Sequence, residues 1–347
     1  MKRRLLGMCL LVSAAVGLAA GPAVAADKPI SGNLRIVIGS SATSGDTYQN
    51  AAIIADELSK KLDINAKVDA VGVSAAFQAL SRAKDGSTVM FFHDQSYLGH
   101  LLGLKGYDDL FATYKVGPTI SINPGDAFVG VKDSKYKTIE DVIEGANKGE
   151  RIRVAIQPGG VSEVYYGALK NAVKVRYPGK EANIVSVKTG SQGDKNQLLF
   201  DRQAEVIHGS VQANEQYTRL PGDDQKAMRF LWLPARKATI AQANPEGMGG
   251  TSREELLKFT SPNASVTLDG KRDFTFDKEF FFIYNKDMDP KIVAYLDKAL
   301  SEIFAEGKVQ VTMKKAFFIP NFQPSKEAEG YLKKKAAQSQ KLIEATH

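Results

Sequence analysis

Leu34-Arg35-Ile36-Val37-Ile38-Gly39 runs into Ser40-Ser41-Ala42-Thr43-Ser44-Gly45-Asp46, and on this stretch the reading of the fold depends. Leu34 to Ile38 is a short β-branched run that predicts a strand, and the Gly/Ser/Thr segment after it is too polar and flexible to extend it. From Asp46 the period changes to steps of three and four, with Ala51, Ile54, Ala55, Leu58 and Leu62 on one face, which predicts an amphipathic helix. Asp46 and Gln49 read as a capping pair at its start. Helix starts carry unpaired N–H groups and a partial positive charge, so the loop could hold an anion with no basic side chain of its own. A nucleotide-binding P-loop is excluded, because Asp46 and Thr47 follow Gly45 where that motif requires Lys and then Ser or Thr.

The same unit recurs. Lys67 to Val71 reads as a strand, with Gly72-Val73-Ser74 as its turn and a helix carrying Phe77, Leu80 and Ala83. Ser87 to Phe92 reads as another strand, with His93-Asp94-Gln95-Ser96 at its carboxyl end. Thr138 and Asp141 form a capping box ahead of Ile139, Val142, Ile143 and Ala146. Ile152 to Ile156 leads into Gln157-Pro158-Gly159-Gly160-Val161-Ser162 and a helix from Glu163. Ile184 to Val187 leads into Thr189-Gly190-Ser191-Gln192-Gly193 and a helix from Asp194, while Ala204 to Ile207 ends at His208-Gly209-Ser210. Strands alternating with helices imply an α/β protein with mainly parallel sheets flanked by helices. Ligands of such sheets bind beyond the carboxyl ends of the strands, where all these polar loops lie.

The chain begins with Lys2-Arg3-Arg4, an apolar run from Leu5 to Ala20 and the small residues Ala23-Val24-Ala25-Ala26. That order predicts an export signal over residues 1–26, cleaved after Ala25 or Ala26, and a periplasmic mature protein. Cys9 lies inside this segment behind Met8, which spoils the context of a lipid anchor. Taking twenty-six residues from 347 leaves 321, enough for two domains. The mature part keeps 43 basic and 39 acidic residues, an excess of four that is too small and scattered to argue for nucleic acid. It has no cysteine, so it needs no disulfides.

Four stretches then stand in a telling order. They are Ser44-Gly45-Asp46 closing the first loop, and Lys84-Asp85-Gly86-Ser87-Thr88 entering a strand. Next comes Lys137-Thr138-Ile139-Glu140-Asp141-Val142-Ile143 after Phe128-Val129-Gly130-Val131, and last Lys188-Thr189-Gly190-Ser191 before Ala204-Glu205-Val206. Phe280 to Tyr284 and the helix opened by Asp289-Pro290, with Ile292, Leu296, Leu300 and Phe304, complete the pattern. In order and spacing the chain resembles the substrate-binding receptors of tripartite tricarboxylate transporters, the Bug-type receptors.

The resemblance implies a two-domain periplasmic binding protein of type II-like architecture. Its halves would be 27–127 plus 285–347, and 128–284, joined by hinge-crossing strands at Phe128 to Val131 and Phe280 to Tyr284. It implies a monomer that closes on a small carboxylate and delivers it to integral membrane transporter subunits, with no cofactor. The expected ligand-binding residues are Ala42, Thr43, Ser44, Gly45 and Asp46; Gly72 and Ser74; Asp94 and Gln95; Gly160, Val161 and Ser162; Thr189, Gly190, Ser191 and Gln192; and His208. The chain also departs from the family pattern. Ser44-Gly45 stands for paired glycines, Ala70-Val71-Gly72-Val73-Ser74 for a glycine-rich second loop, Ser162-Glu163-Val164 for a stretch with histidine, and Val187-Lys188-Thr189-Gly190 for Tyr-Lys-Gly-Gly. The identity of the ligand is therefore not carried over.

Blander roles compete at each position. Asp46 and Asp194 can be helix caps, and Ser162, Thr189 and Ser191 can satisfy their own backbone. Glu163 would repel an anion unless it is solvated or reads a donor group. His93 and His100 are seven apart and could share a helical face, but no third ligand stands at metal spacing. The mature chain has no G-x-S-x-G elbow, no H-E-x-x-H and no cysteine nucleophile, so an exported hydrolase is the weaker rival. Receptors of TRAP-type or ABC importers share the fold class and remain the alternative within binding proteins.

Overall fold

The computed structural model describes residues 28–262, 266–267 and 269–346, so the export segment expected over 1–26 lies outside the described residues. β1 (Asn33–Ile38) buries Leu34, Ile36, Val37 and Ile38. α1 (Asp46–Leu62) lays the expected face of Ala51, Ile54, Ala55, Leu58 and Leu62 into the same core. The chain continues through β2 (Asn65–Ala70), α2 (Val73–Arg82), β3 (Thr88–His93), α3 (Gln95–Leu101), α4 (Leu110–Thr113) and β4 (Tyr114–Asn123). The second set is β5 (Asp126–Val131), α5 (Ile139–Asn147), β6 (Ile152–Ile156), α6 (Val161–Arg176), β7 (Ile184–Lys188), α7 (Gln192–Phe200), β8 (Val206–Ser210), α8 (Val211–Thr218) and β9 (Met228–Trp232). The short helices α9 (Lys237–Ile240) and α10 (Arg253–Leu257) lead to β10 (Lys278–Asn285), α11 (Pro290–Glu306), α12 (Lys308–Lys315), β11 (Ile319–Gln323) and α13 (Ser325–Thr346).

These strands form two mixed sheets, ordered β11-β4-β10-β3-β1-β2 and β7-β6-β8-β5-β9. Each holds a parallel trio, β2-β1-β3 in one and β7-β6-β8 in the other. The remaining pairings are antiparallel. Phe128 to Val131 lies wholly in the second sheet and Phe280 to Tyr284 wholly in the first. The chain passes from one sheet to the other between Asn123 and Asp126, and returns just before Lys278. α13 packs on β4 and α3, and also on α6 beside the second sheet. Among the described residues, no helix is long and apolar enough to cross a membrane.

Local chemistry explains most boundaries. Thr138 accepts from the Asp141 N–H while the Asp141 carboxylate accepts from the Thr138 N–H, so the capping box at α5 forms as read. Gly39 follows β1 at a position where a Cβ would enter the Phe92 ring, so only glycine fits. Gly159 sits at φ +80°, a conformation that side chains resist. The α1 start departs from the reading. Gly45, not Asp46, is the cap residue, and Gln49 donates to the Ser44 carbonyl at 3.3 Å, so no capping pair forms. His93 and His100 share no helical face either, because His93 ends β3 and His100 lies in α3.

Candidate functional site

The carboxyl ends of β1 and β3 face those of β6 and β7 across a cavity of ≈ 310 Å³. From the first sheet come the loop after β1, the start of α1, the turn at Gly72, His93 at the end of β3 and Gln95 after it. From the second come the starts of α6 and α7, the end of β8, and Asp126 where β5 begins. Of the residues expected to bind ligand, Ala42, Ser44, Gly45, Asp46, Gly72, Gln95, Gly160, Val161, Ser162, Gly190, Ser191, Gln192 and His208 line this cavity. Thr43, Ser74, Asp94 and Thr189 do not.

Some of these side chains are already committed. Asp94 is fully buried and takes hydrogen bonds from the Tyr97 hydroxyl at 2.5 Å, the Glu279 N–H at 2.6 Å and the Lys335 ammonium at 3.0 Å. The Thr189 hydroxyl donates to the Ile156 carbonyl at 3.3 Å. Ser191 caps α7 by accepting from the Asp194 N–H at 3.1 Å, so Asp194 is a cap partner and not the cap. Ser162 accepts from the Gln157 N–H at 3.1 Å, and the Glu163 carboxylate from the Gly159 N–H at 2.7 Å.

The centre of the cavity is more highly charged than its loops suggest. Lys278, at the first position of β10, is 2.7 Å from the Asp46 carboxylate and 3.8 Å from that of Asp126. Asp46 also accepts from the Asn123 side chain at 2.7 Å and from the Thr47 N–H at 2.8 Å. Burial works to raise the Asp46 carboxyl, but the Lys278 ammonium and the hydrogen bonds from Lys278 and Asn123 pull it down to about 2. Asp126 goes the other way. Burial, aided by the nearby Asp46 charge, pushes it up to about 7 against the pull of Lys278. Burial opposes the Lys278 charge, yet the carboxylates of Asp126 and Asp46 hold it above its ordinary value.

One more lysine and two histidines complete the site. Lys195, one turn into α7, is 3% exposed, and burial lowers its ammonium to about 8 despite the attraction of Asp126. Burial, with the Lys278 charge, drives His93 well below the usual imidazole value, and burial with Lys195 and Lys278 does the same to His208. Both rings are therefore neutral near pH 7. His208 packs against Phe128 and Tyr165 with its Nε2 3.7 Å from Asp126, so it is both buried and at the cavity wall. Sequence reasoning missed Asp126, Lys195 and Lys278. Nothing local marks a lysine that opens a strand or one inside a polar helix, and only the assembled fold buries them.

A larger cavity of ≈ 540 Å³ lies elsewhere, between α13 and the segment before β10, lined by Arg236, Asp277, Phe276, Tyr331 and Lys335 among others. It receives none of the helix starts that converge between the sheets. Size alone does not make it the ligand site.

No family model and no curated protein matches the chain in sequence. Solved structures do match it in fold. The periplasmic binding protein BugD superposes with a TM-score of 0.68 at 16% identity, covering 90% of this chain and 97% of that one. MatC from Rhodopseudomonas palustris with bound malate gives 0.66 at 15% identity, over 90% and 98%. An R. palustris protein with adipate gives 0.72 at 14% identity, over 90% and 97%. The chain has the Bug-type receptor fold, as its sequence order led one to expect.

Proposed function

We propose that the chain is an exported solute-binding receptor, not an enzyme, that captures a small carboxylate between its two lobes and delivers it to a tripartite tricarboxylate-type membrane transporter. The observation that carries this reading is the cavity itself, into which three helix starts and two buried lysines converge from two separate sheets. Helix starts favour anions, and their N–H groups give charge-assisted hydrogen bonds worth about 1.5–3 kcal/mol each. We take each lobe to be built on one of the two sheets, so that β10 belongs with the first and not with 128–284, and place the hinge at the passages beside Asp126 and Lys278. The neighbours that carry malate and adipate support the ligand class, and the export signal expected over 1–26 supports a periplasmic location.

A thermal-shift screen of the protein without residues 1–26 against aliphatic mono-, di- and tricarboxylates, aromatic acids and sugars tests it. A carboxylate at a hundredfold excess over its dissociation constant should add about 2.7 kcal/mol of stability. Sugars should add none. Stabilisation by neutral sugars with none from any carboxylate would sink the reading.

A further inference from the structure

Among the described residues, the cavity between the sheets is lined by two cations, Lys195 and Lys278. Lys278 is already matched by Asp46 at 2.7 Å. Lys195 is buried and lines the cavity, and its ammonium has no hydrogen bond and no carboxylate within 4.0 Å among the described residues. Asp126 and Asp46 attract it only from a distance; a buried cation with no contact partner is costly, and a ligand carboxylate would supply one.

The helix starts offer little room for a second anion. At α1 the Asp46 carboxylate itself occupies the first turn and takes the Thr47 N–H. At α6 the Glu163 carboxylate folds back onto the Gly159 N–H and puts a negative charge beside that start. Asp126 and His208 line the cavity, and Oδ2 of Asp126 and both ring nitrogens of His208 are buried without a hydrogen-bond partner. These groups can exchange hydrogen bonds with a hydroxyl. A ligand ammonium there would be a third cation beside Asp126, which Lys278 already neighbours at 3.8 Å.

We propose that Lys195 is the cation that receives the ligand's carboxylate, and that the site is built for a hydroxylated monocarboxylate in preference to a dicarboxylate or an amino acid. This rests on the reading of the chain as a carboxylate receptor. Lys195 is then a specificity-determining residue, and the Asp126–His208 pair reads the hydroxyl.

The test is calorimetric titration with four six-carbon chains that differ only at one end: hexanoate, ω-hydroxyhexanoate, ω-aminohexanoate and adipate. The hydroxy acid should bind about tenfold more tightly than each of the others, the scale of one well-placed hydrogen bond or one unmatched charge. Lys195→Met should weaken it about a hundredfold, the scale of a lost charge-assisted pair. The same variant should melt at a higher temperature than the parent without ligand, because it removes an unpaired buried charge; a lysine needed only for folding would give the opposite shift. Tightest binding of adipate or the amino acid, or unchanged affinity in Lys195→Met, overturns this assignment and leaves the carboxylate receptor standing. If none of the four binds, the Lys195 assignment fails, while the carboxylate-receptor reading stands or falls on the thermal-shift screen.

Discussion

Lys278→Met is expected to destabilise the protein by about 3–5 kcal/mol at pH 7, the cost of removing one partner from a buried ion pair. Met fills much of the same volume, so the loss comes from charge. Without the ammonium, Asp46 keeps the Asn123 side chain and the N–H and hydroxyl of Thr47, and Asp126, already raised to about 7, loses the cation that held it down. Both carboxyls then rise in the folded protein, and the folded state binds protons more tightly than the unfolded one. The deficit should therefore shrink as pH falls toward 5. Urea denaturation of parent and variant at pH 7 and pH 5 measures it. A loss below about 1 kcal/mol at both pH values would mean that the Asp46–Lys278–Asp126 chain is not the electrostatic centre of the fold.

The second large effect is the pH dependence of the parent itself. Glu279, fully buried on β10, is held by Asn321 at 2.8 Å and Tyr331 at 2.9 Å, with Lys335 and Asp94 packed nearby. Burial pushes its carboxyl up to about 8, against the pull of Lys335. A carboxyl raised in the folded state contributes stability below its unfolded value that is lost as pH rises through the folded value. Asp126 has the same sign but finishes near pH 7. The lowered His93 and His208 act in the opposite sense, and only below their ordinary value near 6.5. The lowered Lys195 acts above pH 8. Between pH 6.5 and 8 the stability should fall by about 2 kcal/mol, at roughly 1.4 kcal/mol per unit for one group. Most of that slope belongs to Glu279. Glu279→Gln should flatten it, whereas Asp126→Asn should remove only the part below pH 7. An unchanged slope in Glu279→Gln would place the titration elsewhere.

The alternation of strands and helices was legible because each unit carries its own local signals: a β-branched run, a Gly/Ser turn, then apolar steps of three and four. β4 escaped that reading although it is the longest strand. It is almost wholly buried, so it shows neither period, and Gly117 with Pro118 breaks its run. The structure accommodates both at an irregularity, where pairing with β10 skips from Val116 to Thr119. Gly117 is also required there, since a Cβ would press on Phe282 and Tyr284 at 2.7 and 2.8 Å.

The site was legible in its loops and not in its charges. Gly160, Ser191 and Gln192 announce helix starts within a few residues. Lys278 becomes a site residue only through Asp46, 232 positions away, and through Asp126 on another sheet. Nothing local distinguishes it from a surface lysine. Asp94 shows the converse error: it stands at the right strand end, but α13 brings Lys335 to it and takes it out of the cavity.

The most direct test of the central claim is a crystal structure with the tightest-binding carboxylate of the thermal-shift screen. The account predicts that the carboxylate lies between the sheets, within hydrogen-bond reach of the Lys195 ammonium and the starts of α6 and α7. Ligand found instead in the larger cavity beside α13, with the space between the sheets filled only by water, would contradict it.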